Sequence, residues 1–134
     1  MTKTYCTSEG AAQAMTGLCF DNSYARLPDT FYKRCEPDSA RDPKLATLNR
    51  ALAAELGMND PDLLSDVGAM TELFSGNRKP IDAQLIAMTY AGHQFGEFMP
   101  ELGDQRAILL GEVIDTCQQR KDIQLEGAGK TPFA

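Results

Sequence analysis

Two short stretches of this sequence carry residue types that handle phosphate groups. The first is the turn formed by Gly103, Asp104, Gln105 and Arg106, directly before an apolar stretch with the pattern of a strand. Glycine lets backbone N–H groups approach a phosphate, and arginine binds phosphate oxygens with a planar fork of donors. Gly-Asp is also common in ordinary hairpin turns with a solvated arginine. The pattern therefore indicates a candidate phosphate site, with a plain hairpin turn as the open alternative.

The second stretch is the sequence DIQLEGAGKTPFA, which runs from Asp122 to Ala134. Its first four residues have the composition of a strand, and the glycines Gly127 and Gly129 follow. Strands that lead into glycines begin many phosphate-binding sites, although a lone GxG is a weak signal. Glu126 stands at the junction, and its carboxylate would repel a phosphate. The sequence therefore predicts the approach to an anion site with a residue of the wrong charge on it.

Other titratable residues give weaker signals. His93 is the single histidine, and a base or ligand role is open to it because its ordinary pKa lies near neutrality. We favour a structural histidine, hydrogen-bonded to backbone near a helix end, because no second histidine or cysteine accompanies it. An acid–base pair could be drawn from several carboxylates, but their spacing singles out no two of them, and we interpret them as solvated or turn residues. They are Glu97, Glu101, Asp104, Glu112 and Asp115.

Composition limits the class of protein. A chain of 134 residues with 43% hydrophobic residues is long enough for one domain with one modest core. A net charge of -6 argues against a general nucleic-acid binder and against binding to anionic membrane surfaces. The four cysteines form no CxxC pair, so we expect no structural metal. No secretory signal and no apolar run of roughly 20 residues is present, so we expect reduced thiols, no membrane span and a cytoplasmic location.

The elements that would position these residues fall in two groups. We interpret residues 1–19 as a loose leader and the following aromatic stretch as extended chain with turns. A helix is predicted from Pro43, with Asp42 as its cap and Gly57 as its stop. Asp60 and Pro61 mark a second helix, which Gly68 divides into two short ones.

A third helix is predicted over residues 80–91, and the chain changes character after Gly92. AILLGEVID and DIQLEG read as two strands joined by a short turn, which predicts an antiparallel hairpin. The predicted fold class is therefore α+β, helical over 43–91 and strand-rich over 95–126.

Five segments of the chain, taken together, resemble the selenoprotein O family of pseudokinase-like protein adenylyltransferases. The resemblance runs in order from about residue 20 to the last residue, which makes it specific. The segments are FDNSYARLPDTFY, LATLNRALAAELG, LFSGN, YAGHQFGEFMPELGDQRAILLGE and DIQLEGAGKTPF. It implies that residues 20–134 are the N-terminal part of a kinase-like fold, with the antiparallel strands of an incomplete small lobe.

The resemblance also implies a chemistry. Family members bind ATP and magnesium and transfer AMP to Ser, Thr or Tyr hydroxyls of a protein substrate. Gly103 and Arg106 match phosphate-contacting positions of the family. Gln105 stands where the family has glycine, and Glu126 stands where the family has a phosphate-binding lysine. The family's catalytic aspartate and its magnesium ligands belong to a later lobe, which has no counterpart among these residues.

These departures lead to the expectation of an N-terminal fragment that is inactive alone and binds neither ATP nor magnesium tightly. A second chain that completes the lobe is a further partner to consider. We expect Glu126 either to pair with Arg106 or to be solvated at its strand end. Two other interpretations stay open: a non-catalytic protein-interaction module, and the relic of a truncated or split gene.

Overall fold

The computed structural model describes residues 17–134, and over these residues the chain is an α+β protein with an antiparallel sheet. The helices are α1 (Arg50–Glu55), α2 (Pro61–Ser65) and α3 (Val67–Phe74), and the strands are β1 (Tyr32–Arg34), β2 (Ile86–Gln94), β3 (Glu97–Gly103), β4 (Ala107–Ile114) and β5 (Arg120–Glu126). None of the helices in this part of the chain has the length and apolar character needed to cross a membrane. The predicted α+β class is confirmed, and a kinase-like small lobe stays a prediction.

The sheet is organised around β4. The strand order is β1-β2-β4-β5, and β3 pairs with β2 outside this path. Residues 107–113 of β4 are all buried, which explains the continuous apolar run in the sequence. The β4–β5 hairpin is confirmed, and its register places Ala107 opposite Glu126. The start of β4 and the end of β5 therefore lie side by side.

The predicted third helix over residues 80–91 is wrong, because Ile86–Gln94 forms β2. The first part of β2 pairs with β1 and β4, and its second part pairs with β3 in a hairpin. Phe95 and Gly96 form the two-residue turn, with φ values of 53° and 85°, as a type I′ turn requires. These strand pairings satisfy the backbone groups of β2 across the sheet and override its weak helical periodicity.

The predicted start of the first helix is also wrong. α1 begins at Arg50 rather than Pro43, and its cap is Asn49, whose side chain accepts a hydrogen bond from the Leu52 amide. The predicted stop is close, because Gly57 follows the helix with a φ of 91°.

The next two helices follow the sequence signals. Asp60 caps α2 and Pro61 is its first residue, as predicted. The division into two short helices is confirmed, but the predicted break at Gly68 is wrong, because Gly68 lies inside α3. The break is at Asp66, whose side chain caps α3 through the Ala69 amide at 2.9 Å.

The helices pack on the sheet through a cluster that includes Leu18, Met70, Leu73 and Val113. Leu18 is 7% exposed, so the end of the predicted leader is part of the core. Residues 1–16 lie outside the described part of the chain, so the leader prediction is corrected only for its last residues. A second cluster, with Ile108, Leu110 and Leu125, fills the space next to β4 and β5.

The described cysteines are in more than one state. Cys35 and Cys117 are free thiols, in agreement with the expectation of reduced cysteines. Cys19 is disulfide-bonded, so that expectation is wrong for this residue. Burial, aided by the nearby Glu36 charge, raises the pKa of the Cys35 thiol. Cys35 is therefore a poor nucleophile near neutral pH.

Candidate functional site

Arg106 and Glu126 line the same cavity, which has a volume of about 300 Å³. The register of β4 with β5 places them there, and the Gly127 amide fixes the arrangement by donating a 3.0 Å hydrogen bond to the Arg106 carbonyl. The proximity predicted from the sequence is therefore confirmed. The cavity is lined by Asp38, Ser39, Ala40, Phe74, Ser75, Arg106, Leu125, Glu126, Gly127, Ala128 and Gly129.

The expected ion pair between Arg106 and Glu126 is absent from the described part of the chain, so this prediction is wrong. Both residues are exposed, which agrees with the alternative of a solvated Glu126 at its strand end. Within residues 17–134 the Arg106 guanidinium has no hydrogen-bond or ion-pair partner at all. Its five donors therefore remain available to an anion.

The glycine turn after β5 presents backbone donors to the same region. Gly127 and Gly129 have φ values of 72° and 120°, which are conformations that glycine adopts without strain. Among the hydrogen bonds of the described residues, none is donated by the backbone N–H groups of Ala128, Gly129 or Lys130. Successive free N–H groups in such a turn can form a concave binding surface for an anion. The GxG of residues 127–129 is the weaker signal in the sequence, yet it lines the cavity beside Arg106, whereas Gly103 and Gln105 do not.

The turn before β4 has a different role. A Cβ atom on Gly103 would lie 2.3 Å from the ring of Phe133, so the glycine makes room for that ring rather than for a ligand. Asp104 makes two hydrogen bonds with Met88. Its backbone N–H donates to the Met88 carbonyl at 3.0 Å, and its carboxylate accepts from the Met88 N–H at 3.1 Å. Gly103 and Gln105 are not among the residues that line the cavity.

Thr131 ties this turn to the end of the chain. Its hydroxyl donates a hydrogen bond to the Asp104 carbonyl, and its backbone N–H donates to the Gln105 carbonyl at 3.0 Å. Gln105 is therefore held through its backbone, while its side chain is exposed. The threonine that makes these contacts begins the TPF segment of the sequence.

A larger cavity of about 380 Å³ lies beside the segment from Phe20 to Arg26. Three of its polar side chains are already engaged: Arg26 pairs with Asp21 at 2.9 Å, and the Asn22 side-chain amide donates to the Asp82 carbonyl at 2.8 Å. These contacts leave fewer groups for a ligand than the Arg106 cavity offers. Size alone therefore does not make it the better candidate.

A family model described as "Protein adenylyltransferase SelO" matches residues 14–134, which is most of the chain. The chain belongs to the SelO family. The "Protein nucleotidyltransferase YdiU" of Rhizobium meliloti (strain 1021) is 57% identical over 120 residues, which cover 90% of this chain and 24% of the relative. Proteins with the same name from Rhodopseudomonas palustris strains TIE-1 and BisB5 are 56% and 59% identical, each over 86% of this chain and 23% of the relative.

The chain spans about a quarter of the length of these SelO-family relatives. The family resemblance inferred from the sequence is therefore confirmed, together with its partial coverage. The nucleotidyltransferase class comes from the names of the relatives and of the family model.

One motif of this SelO-family chain, LLGE, proves to be structural. A Cβ atom on Gly111 would lie 2.3 Å from the Asn22 side-chain oxygen, so the glycine admits the early aromatic segment against β4. Glu112 is buried and accepts hydrogen bonds from the Ser23 hydroxyl and the Tyr24 amide, both at 2.6 Å. The interpretation of Glu112 as a solvated carboxylate is therefore wrong.

Of two further titratable residues, His93 is placed differently from its interpretation, whereas the interpretation of Asp115 as a turn residue is confirmed. His93 lies in β2, away from any helix end, and its ring contacts Phe98 edge-on at 5.4 Å between ring centroids. Asp115 is buried, and its carboxylate accepts hydrogen bonds from the Cys117 and Gln119 amides at 2.8 Å, which shapes the β4–β5 turn. Both have local structural contacts and lie outside the Arg106 cavity.

The donor set does not fit a magnesium site. In residues 17–134 no group of three or more His, Cys, Asp or Glu side chains is arranged to hold a metal ion. Magnesium is bound through carboxylates and nucleotide phosphates in near-octahedral geometry. We therefore assign no magnesium ligand to the described residues.

Proposed function

We propose that this chain supplies part of the phosphate-binding wall of a protein adenylyltransferase, which transfers AMP from ATP to Ser, Thr or Tyr hydroxyls of a protein substrate. Membership of the SelO family supports the reaction class. The observation that carries the assignment is the position of the unpaired Arg106 guanidinium beside the Gly127–Gly129 turn in one cavity. A guanidinium and backbone N–H groups are the donors that bind phosphate oxygens in proteins.

In this proposal Arg106 binds phosphate oxygens with its planar fork, and the free N–H groups of Ala128 and Gly129 bind the same group from the turn. Glu126 opposes phosphate binding by both groups, because its carboxylate lies in the same wall and has the same sign of charge as a phosphate. Two unit charges 4 Å apart interact by about 1 kcal/mol in bulk water and about 4 kcal/mol at an effective dielectric of 20. Glu126 is exposed, so its effect lies toward the lower figure.

The chain alone is then a weak nucleotide binder without the catalytic groups of the reaction. The residues that would hold magnesium and accept the substrate proton lie, by family resemblance, in a lobe with no counterpart here. The proposal requires that residues outside these 134 provide this lobe. We therefore expect no transfer of AMP by the isolated chain.

Isothermal calorimetry with ATP tests the phosphate wall. Replacing Glu126→Lys together with Gln105→Gly reverses the charge in the wall and removes one exposed side chain. The expected gain is about 2 kcal/mol, because an exposed repulsion becomes an exposed attraction, and this corresponds to roughly 30-fold tighter binding. Glu97→Lys makes the same charge change on β3, away from the cavity, and should have little effect.

Adding Arg106→Ala to the double variant should remove most of the gain. The proposal fails if the double variant binds ATP no more tightly than Glu97→Lys, or if the loss of Arg106 leaves its affinity unchanged. Tight binding of ATP by the unaltered chain would refute the inference that Glu126 is inhibitory.

The second candidate function, a non-catalytic protein-interaction module, is favoured by the β2–β3 hairpin. Phe95 at its tip is 98% exposed, and Phe98 and Tyr90 are 60% and 51% exposed. Exposed aromatic side chains on one element are typical of protein contact surfaces. A partner whose binding is lost on Phe95→Ser but kept on Arg106→Ala would support this function over the nucleotide one.

A further inference from the structure

The segment from Glu36 to Ala40, called the 36–40 strap here, crosses the glycine turn of the candidate site. The Asp38 backbone N–H donates a 2.7 Å hydrogen bond to the Ala128 carbonyl, which is in the middle of that turn. Asp38 lines the same cavity as Arg106 and Glu126. A residue from the early part of the chain thus forms one side of the proposed phosphate wall.

The strap is fixed on both sides of Asp38. Ala40 and Asn77 exchange two hydrogen bonds, with the Ala40 amide donating to the Asn77 side chain at 2.8 Å and its carbonyl accepting at 3.1 Å. Pro37 packs on Gly76, where a Cβ atom would lie 2.9 Å from the proline ring. These anchors hold Asp38 at the turn without help from its own side chain.

The Asp38 carboxylate lies directly against Gly129. A Cβ atom at position 129 would be 2.6 Å from Asp38 Oδ2, so only glycine admits the carboxylate at this position. Since a Cβ atom is about 2.5 Å from its own backbone nitrogen, Oδ2 lies within roughly 5 Å of the Gly129 nitrogen. No hydrogen bond joins the two among the described residues, and the Gly129 N–H keeps its donor capacity.

We propose that Asp38 lowers anion affinity at this cavity, because its carboxylate lies against Gly129, within roughly 5 Å of the Gly129 nitrogen, and repels a phosphate bound there. The strap is then a built-in inhibitory contact of the phosphate wall. This inference rests on the proposed function of that wall. It adds a second carboxylate to Glu126, so that two negative charges and one cation, Arg106, surround the site.

The strap inference predicts a gain of anion affinity on removal of the Asp38 charge. Asp38→Asn keeps the size of the side chain and the backbone hydrogen bond to Ala128, so the fold should be retained. Inorganic tripolyphosphate and ATP are the probes, titrated by calorimetry into the full chain. We expect about fivefold tighter binding of both, from the loss of a like charge at exposed-site dielectric, with a smaller gain at high salt.

Asp42→Asn is the matched control, because Asp42 is exposed, carries the same charge change and does not line the cavity. It should alter affinity less than twofold. Asp38→Ser provides a second variant without the carboxylate and should give a gain in the same direction. Both Asp38 variants are also made together with Glu126→Lys, where binding is expected to be strongest.

The outcomes separate the two proposals. If Glu126→Lys gains affinity and Asp38→Asn adds nothing, the strap inference is overturned while the phosphate wall stands. A second outcome is that Asp38→Asn binds the probes more tightly and keeps this gain when Arg106→Ala is added. In that case the Asp38 carboxylate opposes anion binding, but the assigned nucleotide wall is wrong. If no variant binds either probe at millimolar concentration, both are overturned.

Discussion

Replacing Glu112 by alanine tests whether the LLGE motif serves the fold rather than the chemistry. The Glu112 side chain is 5% exposed. Its carboxylate accepts hydrogen bonds from the Ser23 hydroxyl and the Tyr24 amide at 2.6 Å, and from Arg120 at 3.4 Å. Alanine would leave the Tyr24 N–H without a partner at the point where the early segment joins β4.

The size of the effect follows from these contacts. Breaking a buried charge pair by removing one partner costs about 3–5 kcal/mol, and an unsatisfied buried donor alone costs about 1–3 kcal/mol. Arg120 keeps its 2.7 Å pair with Asp21, so it is not left without a partner. We therefore expect a loss of about 3 kcal/mol for Glu112→Ala and about 1–2 kcal/mol for Glu112→Gln, which keeps one oxygen acceptor.

Urea denaturation followed by circular dichroism measures these losses, since the chain has no tryptophan for fluorescence. Glu97→Ala, an exposed glutamate on β3, is the control and should change the free energy of unfolding by less than about 0.5 kcal/mol. If Glu112→Ala costs no more than this control, the Glu112 contacts do not hold the early segment to the sheet, and the structural interpretation of the motif is wrong.

Three other substitutions give predictions, two of them with opposite signs and one with a pH dependence. Gly103→Ala should destabilise the chain by about 1–3 kcal/mol, because its Cβ atom would displace the Phe133 ring. Gly68→Ala in α3 should stabilise the chain by about 0.5–1 kcal/mol, because alanine favours a helix more than glycine does. Thermal melts of both variants measure the two effects. Hydrogen bonds from Arg120, then Arg26, lower the pKa of Asp21 below its ordinary value of 3.8. The stability that Asp21 contributes is therefore full above pH 3.8 and is lost as the pH falls through the folded-state pKa. The free energies of unfolding of wild type and Asp21→Asn, measured by urea titration, should therefore converge in acid. A difference that stays constant with pH would contradict this.

The sequence predicted well where a local signal decides the structure. Asp60 and Pro61 start α2 because a cap and a fixed φ act within one helical turn. The leucine spacing from Leu45 onward misled the prediction of α1, because those leucines need only burial, and Leu45 and Leu48 pack on the core without being helical. Asn49 supplies the cap that the chain actually uses.

Strand β2 shows why distant partners matter. Its residues have an ambiguous period, and its pairing partners β1 and β4 lie on either side of it in the sequence. A local window contains neither partner, so the residues after Pro80 resembled a helix. The local signal for a hairpin was the glycine at position 96, since a glycine in a two-residue turn between two strand-like runs favours a tight hairpin.

The residues that β4 and β5 bring to the candidate site could be predicted from the sequence, whereas the residue that the 36–40 strap brings there could not. Arg106 directly precedes β4 and Glu126 is the last residue of β5, so their proximity follows from the hairpin register. Asp38 reaches the same cavity from a distant part of the chain, through contacts with Asn77 and Ala128 that leave no local pattern. In the sequence, Asp38 is one carboxylate in a loop rich in turn-forming residues, and nothing distinguishes it. Only the fold places it against the glycine turn.

The separation of structural and ligand-facing residues makes the proposed variants informative. Gly103, Asp104 and Thr131 are fixed by contacts with Phe133, Met88 and one another, so changing them would alter folding and binding together. Arg106, Glu126 and the Asp38 carboxylate are exposed and take no part in the buried clusters. Substitutions there leave the core unchanged, and a change in anion affinity can be assigned to the charges themselves. Under the proposed function, the glutamate at position 126 alters the charge of the ligand wall, and this residue lies outside the buried clusters of the sheet.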